Sequence, residues 1–359
     1  MANTIISPSK YIQGRGELSN LGSYAKKYGK KPLVIISKSG KGRFENIIST
    51  SLEDNAVTPV YAIFNGEITF DEISRLEDIY SENDCDFVIG VGGGKIMDTA
   101  KVVSLNTKSA VIIIPTIAST NAPCSALSII YTAEGIIQKV IFCLQNPNIV
   151  LVDTQIIVEA PIRLFVAGMG DALSAYFESR ACIASGSNNF ARGKATRAVQ
   201  SLSKTCHEIL MQDGYNAKVA VEQKVCTQAV ENVIEANTYL SGVGFESGGL
   251  AAAHAVHDGL NKLAECHDFY HGEKVAFGVI VQLVLENAPE LNEVIAFCKS
   301  VGLPTTLKEL GIEKINHDDI KKVAEIATHP KQTIHSLPFK VTAADVYAAI
   351  LVADSLSSN

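Results

Sequence analysis

The sequence predicts an α/β domain followed by an all-α domain, and three observations support this fold class. The chain has 359 residues, which is more than one hydrophobic core usually organises. Its first 160 residues alternate short apolar runs with amphipathic stretches, whereas the part after Pro161 carries long alanine-rich helical patterns. We therefore expect one domain at residues 1–160 and another at 161–359, with a ligand-binding cleft between them.

The first half is expected to form a parallel sheet with helices on both of its faces. The patterns predict buried strands at residues 33–36, 60–64, 87–90 and 111–115, with helices at 45–54, 70–83 and 95–104. Residues 128–131 and 140–142 are typical of a β-hairpin turning at Glu134-Gly135, and residues 149–152 of a strand that returns to the sheet. Helices of the second half are predicted at 171–185, 192–212, 217–242, 249–263 and 274–287.

Composition excludes several classes of function. The net charge is −7, basic residues are scattered and tryptophan is absent, which argues against a nucleic-acid surface. No apolar run reaches the roughly 18–20 residues of a membrane span, and the N-terminus lacks the apolar core of a signal peptide. The eight cysteines show no CxxC pair, so we expect reduced thiols and a cytoplasmic protein.

A glycine cluster follows the buried strand that ends near residue 90. Gly92, Gly93 and Gly94 allow a phosphate to approach the backbone closely, and we expect them to adopt positive φ. Lys95 then starts a predicted helix, whose free N–H groups favour a pyrophosphate. The cluster matches neither the GxGxxG nor the P-loop fingerprint, so a simple tight strand–helix turn stays open. A second turn, from Thr116 to Ser119, ends the next strand in small hydroxyl residues and makes a cofactor crevice more credible.

One carboxylate and two imidazoles lie in alanine- and glycine-rich segments of the second half. Asp171 follows two glycines and is expected to open a helix, while His254 and His271 occupy a small-residue helix and the start of the next one. Two His nitrogens and a carboxylate oxygen suit zinc with one position open to water or substrate. An ordinary helix N-cap for Asp171 and structural roles for each His remain alternatives, with His257 and His267 as further candidates.

Several motifs together resemble the metal-dependent, iron-type alcohol dehydrogenase family, in particular its glycerol-oxidising branch. The stretches that carry the resemblance cover nearly the whole chain: Gly92–Lys95 with Asp98–Lys101, Pro115–Thr120, Gly170–Leu173, Ala253–His257 and Tyr270–Gly278.

The resemblance implies a dinucleotide-binding α/β domain and an α-helical metal domain, in a dehydroquinate synthase-like architecture. It implies Zn²⁺, or another divalent metal, on the catalytic ligands Asp171, His254 and His271, and a homo-oligomer, an octamer in the family. It also implies NAD as the cofactor and these cofactor-binding residues: Gly92, Gly93, Gly94, Lys95, Asp98, Thr116, Ser119, Ser125, Leu127 and Tyr131.

Three positions depart from patterns in the family. Iron-using relatives carry another His four residues after the Asp, where this chain has Ala175, which fits zinc better. The Asp associated with polyol binding is Asn121 here, which keeps hydrogen bonding but loses the charge. The Asp that binds the adenosine ribose is Ser37, and with Lys38 beside it a 2′-phosphate, and hence NADP, becomes possible.

The sequence therefore predicts an NAD(P)-linked alcohol dehydrogenase that acts on a small diol, polyol or related hydroxy compound. A related oxidoreductase that uses NADP on a non-glycerol aldehyde or alcohol is an alternative. A dehydroquinate-synthase-like lyase is another, although residues 240–275 offer only Lys262 and Lys274 for an anionic substrate. The last alternative is a non-catalytic protein that binds NAD.

Overall fold

A six-stranded parallel sheet organises the first half of the chain. The computed structural model describes residues 2–132, 135 and 137–358. The strands among these residues are β1 (Tyr11–Gly14), β2 (Pro32–Ile36), β3 (Val60–Ile63), β4 (Phe87–Gly92), β5 (Ala110–Pro115), β6 (Leu127–Tyr131), β7 (Ile137–Phe142) and β8 (Ile149–Asp153). The sheet has the order β1-β8-β5-β4-β2-β3, and every neighbouring pair in it is parallel. The expected parallel sheet is thus confirmed, with β1 as an additional edge strand.

Helices cover both faces of this sheet, as predicted. They are α1 (Leu21–Ala25), α2 (Lys38–Glu53), α3 (Phe70–Glu82) and α4 (Gly94–Thr107). Alternate side chains of β2 point to opposite faces. Leu33 and Ile35 belong to one hydrophobic cluster with α3 and α4, whereas Val34 and Ile36 belong to another with α1 and α2.

The segment after β5 forms the expected ribbon and return strand. Strands β6 and β7 pair antiparallel, and β8 enters the main sheet between β1 and β5. Glu134, half of the turn predicted for the ribbon, lies outside the described residues. Gly135 adopts a left-handed φ of 78°, which favours glycine.

The rest of the described chain is helix and loop. Its helices are α5 (Thr154–Glu159), α6 (Ile162–Ser185), α7 (Arg197–Glu222), α8 (Gln228–Glu235), a π-helical turn (Ala236–Leu240), α9 (Ser241–Gly248), α10 (Ala252–Leu260), α11 (His271–Leu285), α12 (Leu291–Val301), α13 (His317–Ala327) and α14 (Ala343–Ser358). Short 3₁₀ helices occur at Glu17–Asn20, Ala264–Cys266, Lys308–Leu310 and Thr333–Ser336. Among the described residues, none of the helices combines the length and apolarity that crossing a membrane requires.

Several helix predictions were wrong in their bounds: the helix expected at 45–54 begins at Lys38, and the helix expected at 192–212 begins at Arg197 and continues to Glu222. The helix expected at 217–242 is interrupted, because α7 ends at Glu222, Lys224 takes a left-handed φ of 58°, and Thr227 caps a new helix. The helix expected to begin at Asp171 begins instead at Ile162, so Asp171 lies inside α6 rather than at its N-terminus. The N-cap alternative for Asp171 is thereby excluded.

Candidate metal and cofactor site

Two close helix crossings bring the three candidate metal ligands together. A Cβ at Gly170 of α6 would lie 2.2 Å from the carbonyl oxygen of Gly272 in α11, so these helices touch backbone to backbone. A Cβ at Gly278 of α11 would lie 2.3 Å from the carbonyl oxygen of Ala253 in α10. Asp171, His271 and His254 are each one residue from a crossing. The glycines and alanines therefore set the distances between the ligands.

The ligand atoms converge on one point. The Nε2 atoms of His254 and His271 lie 3.6 Å and 3.3 Å from Oδ1 of Asp171, and one ligand atom from each residue falls within 4.8 Å of the others. Asp171 is buried, whereas the side chain of His271 is 37% exposed. The cluster can therefore be reached from solvent on the His271 side.

The hydrogen bonds of the two imidazoles leave both Nε2 lone pairs facing the cluster. His254 donates from Nδ1 to Oε2 of Glu178 over 2.6 Å. The side-chain amide of Asn261 donates to Nε2 of His257 over 3.0 Å, so His271 donates from Nδ1 to that same atom over 2.9 Å. Such partners fix the tautomer of metal-binding histidines.

The shifted pKa values at the cluster indicate that it favours a bound positive charge. Burial opposes ionisation of Asp171, but the adjacent His271 and His254 hold its pKa well below the usual range. Burial likewise opposes the charged form of His254, yet Glu178 and Asp171 raise its pKa to about 10. Oδ1 of Asp171 is buried and has no hydrogen-bond donor within the described chain. The raised pKa of His254 means that a proton stands at its Nε2 while no metal is bound. A carboxylate oxygen and two imidazole nitrogens that face each other fit a divalent metal in place of that proton.

The glycine turn lies where the strand order of the sheet reverses. β2 and β4 are neighbours, but the helices that follow them, α2 and α4, lie on opposite faces of the sheet. The carboxyl ends of two such strands form a crevice that is the usual place for a nucleotide, and we call it the nucleotide edge. A Cβ at Gly94 would meet no atom within 4 Å, and the N-terminus of α4 has no side-chain cap. The first N–H groups of α4 are therefore available to a phosphate.

The glycine cluster does not use positive φ, contrary to expectation. Gly93 has φ −88°, and neither Gly92 nor Gly94 is left-handed. Gly92 instead avoids Ile96, whose Cδ1 would lie 2.6 Å from a Cβ. Glycine is needed here for close approach.

The other candidate cofactor residues surround this turn, but several side chains have protein partners. Lys95 forms an ion pair with Glu67 at 2.6 Å, and its ammonium lies 5.9 Å from the ring centre of Tyr131. Asp98 accepts a hydrogen bond from the N–H of Ile129 at 3.0 Å and pairs with the buried Lys101 at 2.8 Å. Burial, with Asp98 and Glu67 nearby, raises the pKa of Tyr131 to about 12.

Lys101 organises the residues that precede β6. Its ammonium donates to three backbone carbonyls, at 3.1, 3.3 and 2.5 Å, belonging to Ala122, Ser125 and Leu127. Two candidate cofactor residues, Ser125 and Leu127, are thereby held against α4. Thr116, another candidate, donates its backbone N–H to the carbonyl of Gly92 over 3.1 Å, so a hydrogen bond connects the two cofactor turns.

Ser37 caps α2, since its hydroxyl accepts the N–H of Gly40 at 3.0 Å. Lys41 pairs with Glu45 at 3.3 Å and lies over Tyr61, while Arg43 lies over the ring of Phe44. Lys38 is exposed at the first position of this helix. Of these three cations, Lys38 alone has no ion pair or aromatic contact with the described residues.

The loop from Thr116 to Ala126, which we call the bridging loop, connects the glycine turn to the metal cluster. Its Ser119 and Asn121 are both partly exposed. The backbone N–H of Asn121 donates to Oδ2 of Asp171 over 3.0 Å. The candidate substrate residue thus lies beside the candidate metal, in the same loop as three candidate cofactor residues, Thr116, Ser119 and Ser125.

Sequence reasoning missed the residues that support the site. Glu178 accepts the N–H groups of Ala251 and His254 as well as the imidazole of His254, and Gln282 accepts those of Ala252 and Ala253. Both cap α10 from neighbouring helices. Glu178 lies seven residues after Asp171, hence on the same face of α6, and that spacing was the available signal. The spare candidate His267 is exposed and stays outside the cluster.

Comparison with known proteins gives a consistent result. A family model for iron-containing alcohol dehydrogenases matches residues 8–154. Glycerol dehydrogenase of Pseudomonas putida is 48% identical over 361 residues, covering 100% of this chain and 99% of the relative. That of Escherichia coli O6:H1 is 49% identical over 356 residues, covering 99% and 97%. The crystal structure of glycerol dehydrogenase from Schizosaccharomyces pombe superposes with a TM-score of 0.96 at 39% identity, covering 99% of this chain and 91% of that one.

Proposed function

This chain belongs to the iron-containing alcohol dehydrogenase family, and from that premise we propose that it oxidises glycerol or a closely related small polyol with NAD. The reaction is reversible hydride transfer between the alcohol carbon and the nicotinamide, and it depends on a divalent metal. The observation that carries the proposal is the convergence of Asp171, His254 and His271 beside a loop that begins at the nucleotide edge. The lyase alternative is not favoured, because the relatives above are dehydrogenases.

A divalent metal at such a site supplies a Lewis acid that lowers the pKa of a substrate hydroxyl. Residues around the cluster orient the atoms that would hold this metal. Glu178 and His257 keep the protons of His254 and His271 on Nδ1, away from the cluster. The N–H of Asn121 holds the second carboxylate oxygen of Asp171, so Oδ1 stays directed at the two imidazoles. We assign both histidines as ligands rather than bases, so the substrate proton leaves toward solvent.

We propose zinc as the metal. Ala175 is four residues after Asp171, on the same face of α6, and offers no fourth ligand. A Cβ built at Gly244 of α9 would lie only 3.2 Å from the Cβ of Ala175, so this side is already filled. Three protein ligands with one open position are typical of catalytic zinc.

The decisive experiment is reconstitution. The protein is stripped with a chelator, loaded with zinc, iron or manganese, and assayed for NADH formation on glycerol, propane diols, simple alcohols and, in reverse, hydroxyketones and aldehydes. We expect no turnover without metal and recovery with zinc. Full activity in a metal-free preparation would overturn the metal assignment. Substrate consumption without net NADH would favour a lyase, and cofactor binding without turnover would favour a non-catalytic protein.

We propose NAD as the main cofactor, with NADP tolerated better than a carboxylate at position 37 would allow. Ser37 lacks the charge that repels a 2′-phosphate, and the adjacent Lys38 is exposed. Ser37→Asp should shift the ratio of kcat/KM values toward NAD by about 1–3 kcal/mol, the size of a charged hydrogen bond. A wild type that already rejects NADP by more than about 100-fold would contradict this.

We propose a homo-oligomer as the working form, and the cytoplasm as its location. Four apolar side chains on β7 and just beyond it are exposed: Ile137, Val140, Phe142 and Leu144, the last 92% exposed. Several exposed apolar side chains on one short segment favour subunit contact. Light scattering of the purified protein tests it, and a monomer at micromolar concentration would contradict it. The cytoplasmic location is supported by eight cysteines that are all free thiols.

A further inference from the structure

The helix that crosses the bridging loop contains a π-helical turn, from Ala236 to Leu240, which follows directly on α8. The N–H of Ser241 bonds to the carbonyl of Ala236, five residues earlier, so this turn holds one residue more than an α-helical turn. Such turns are rare and are frequent at functional sites. The turn continues directly into α9.

Three residues of this helix contact the bridging loop in succession. Asn237 donates from Nδ2 to the carbonyl of Ala118 over 3.1 Å. Gly242 makes room for the loop, since a Cβ there would lie 3.1 Å from the carbonyl oxygen of Asn121. Glu246 accepts the N–H of Ala126 over 2.7 Å.

The spacing of these three residues explains the π turn. They are five and then four residues apart, whereas an uninterrupted α-helix repeats a face every three or four. The extra residue between Asn237 and Gly242 keeps both on the face that meets the loop. The helix therefore matches the path of the loop from Ala118 to Ala126.

Asn237 also connects the loop to the helix that carries Asp171. Its buried amide donates a second bond to the carbonyl of Phe165 in α6, over 3.0 Å. A Cβ at Gly168 of α6 would lie 1.9 Å from the carbonyl oxygen of Ala118, so Ala118 sits directly against α6 at that glycine. Both N–H groups of Asn237 thus hold loop and helix at a fixed distance.

We propose that Asn237 is a positioning residue for hydride transfer, presented by the π turn to fix the bridging loop between the nucleotide edge and the metal ligands. The inference rests on the proposed dehydrogenase function. Nucleotide-side residues Thr116 and Ser119 and the metal-side Asn121 lie within six residues of one another, so a shift at Ala118 moves one group relative to the other. Small misplacements of reacting groups cost up to about 100-fold in rate.

The test compares Asn237→Ala with a matched control, Asn189→Ala. Asn189 is also a buried amide that donates to two carbonyls, those of Thr4 and Ser247, but it does not contact the bridging loop. Four quantities are measured on metal-loaded protein. They are kcat with its isotope effect for carbon-deuterated against unlabelled glycerol, the amount of bound metal, the Kd of NADH, and the amide hydrogen exchange of residues 116–127. Asn237→Ser, which retains one donor, replaces Asn237→Ala should the latter fail to fold.

For Asn237→Ala we expect kcat to fall about 10- to 100-fold, with a larger isotope effect, unchanged bound metal and faster exchange confined to the loop. The control should lose similar thermal stability and keep kcat within about twofold. Equal kcat losses in both variants, or loop exchange like that of the wild type, would overturn the proposal. Because hydrogen exchange needs no turnover, a wild type inactive on every polyol would refute the proposed function while the exchange result still tests the role of Asn237 in holding the loop.

Discussion

At the scale of single residues, the protonation of the metal cluster is set by groups that never face the metal. Glu178 is fully buried and takes three N–H bonds, two from the start of α10 and one from the imidazole of His254. A negative charge at a helix N-terminus is favourable, so one carboxylate both caps α10 and selects the tautomer of its ligand. His257, whose pKa burial and the nearby His271 lower to about 3, stays neutral and accepts a hydrogen bond from the Nδ1–H of His271.

Glu178→Gln tests this control of the tautomer. If the amide oxygen keeps the backbone N–H groups, its NH₂ faces Nδ1 of His254 and forces the proton onto Nε2, where it blocks the metal. We expect metal affinity to fall about 10- to 100-fold with little loss of helix content, measured by competition with a chelator. Glu309→Gln is the control, because Glu309 also accepts several N–H bonds but lies away from the cluster. Equal metal affinities for both variants would contradict this role.

Asn121 should govern how strongly the site prefers polyols. Its backbone contacts Asp171, so a carboxylate placed there by Asn121→Asp could accept hydrogen bonds from a second hydroxyl of the substrate. We expect kcat/KM for glycerol to rise about 10- to 150-fold, the equivalent of 1.5–3 kcal/mol. Propan-1-ol serves as the control substrate, since it lacks a second hydroxyl and should gain nothing. Glycerol kinetics unaffected by the substitution would mean that position 121 only shapes the loop.

At the scale of elements, the sequence predicted what depends on local pattern. Strand β4, the glycine turn and the helix start at His271 follow from apolar runs and from residues near them in the chain. Strand β1 was not predicted, because Tyr11–Gly14 is short and pairs only with β8, which is distant in sequence. Asp171 was misplaced because Gly168 and Gly170 resemble a helix boundary. In the fold they are the contact points of α6 with Ala118 and Gly272.

Gly272→Ala should separate the helices that carry the ligands. A Cβ there would lie 1.8 Å from the carbonyl oxygen of Ala167, a backbone atom that cannot move without shifting α6. We expect loss of bound metal and destabilisation of about 1–3 kcal/mol, as for overpacking in a core, measured by denaturant unfolding. Gly42→Ala is the matched control, because Gly42 lies in α2 with no atom near its Cβ position and should be neutral or stabilising. Metal retained at wild-type affinity in Gly272→Ala would show that the crossing tolerates displacement.

At the scale of the whole molecule, the two halves are joined by more than the chain. One hydrophobic cluster includes β2 and α4 as well as α6, α10 and α11, so the division at residue 160 stays a prediction. Polar contacts also cross it, since Tyr11 in β1 bonds to Thr238 in the π turn at 2.8 Å and Lys101 anchors the loop that reaches Asp171. The sequence could not predict these contacts, because Asn237 lies in no motif and because Asn237 and Lys101 both donate to backbone carbonyls that are distant in sequence and that no local pattern specifies.

Loss of the metal should change how the stability of the molecule depends on pH. In the metal-free protein the pKa of His254 is raised from 6.5 to about 10, so its stabilising contribution is complete below the unfolded value and is lost as the pH rises through 10. Between about pH 7.5 and 9 His254 holds one proton more in the folded state than in the unfolded state, so this residue alone should lower the free energy of unfolding by about 1.4 kcal/mol per pH unit. Glu246, whose pKa burial raises to about 7, changes charge mostly below this range. Burial raises the pKa of the Cys85, Cys124 and Cys266 thiols, so within this range they lose protons in the unfolded chain and add a downward slope that the stripped and zinc-loaded forms share. With zinc bound, His254 is a neutral ligand and rising pH removes proton competition, so the His254 contribution should vanish and the zinc-loaded form should lose stability less steeply than the stripped form. Denaturant unfolding of stripped and zinc-loaded protein across this range measures the difference, and parallel slopes for the two forms would refute the assignment of His254 to the metal.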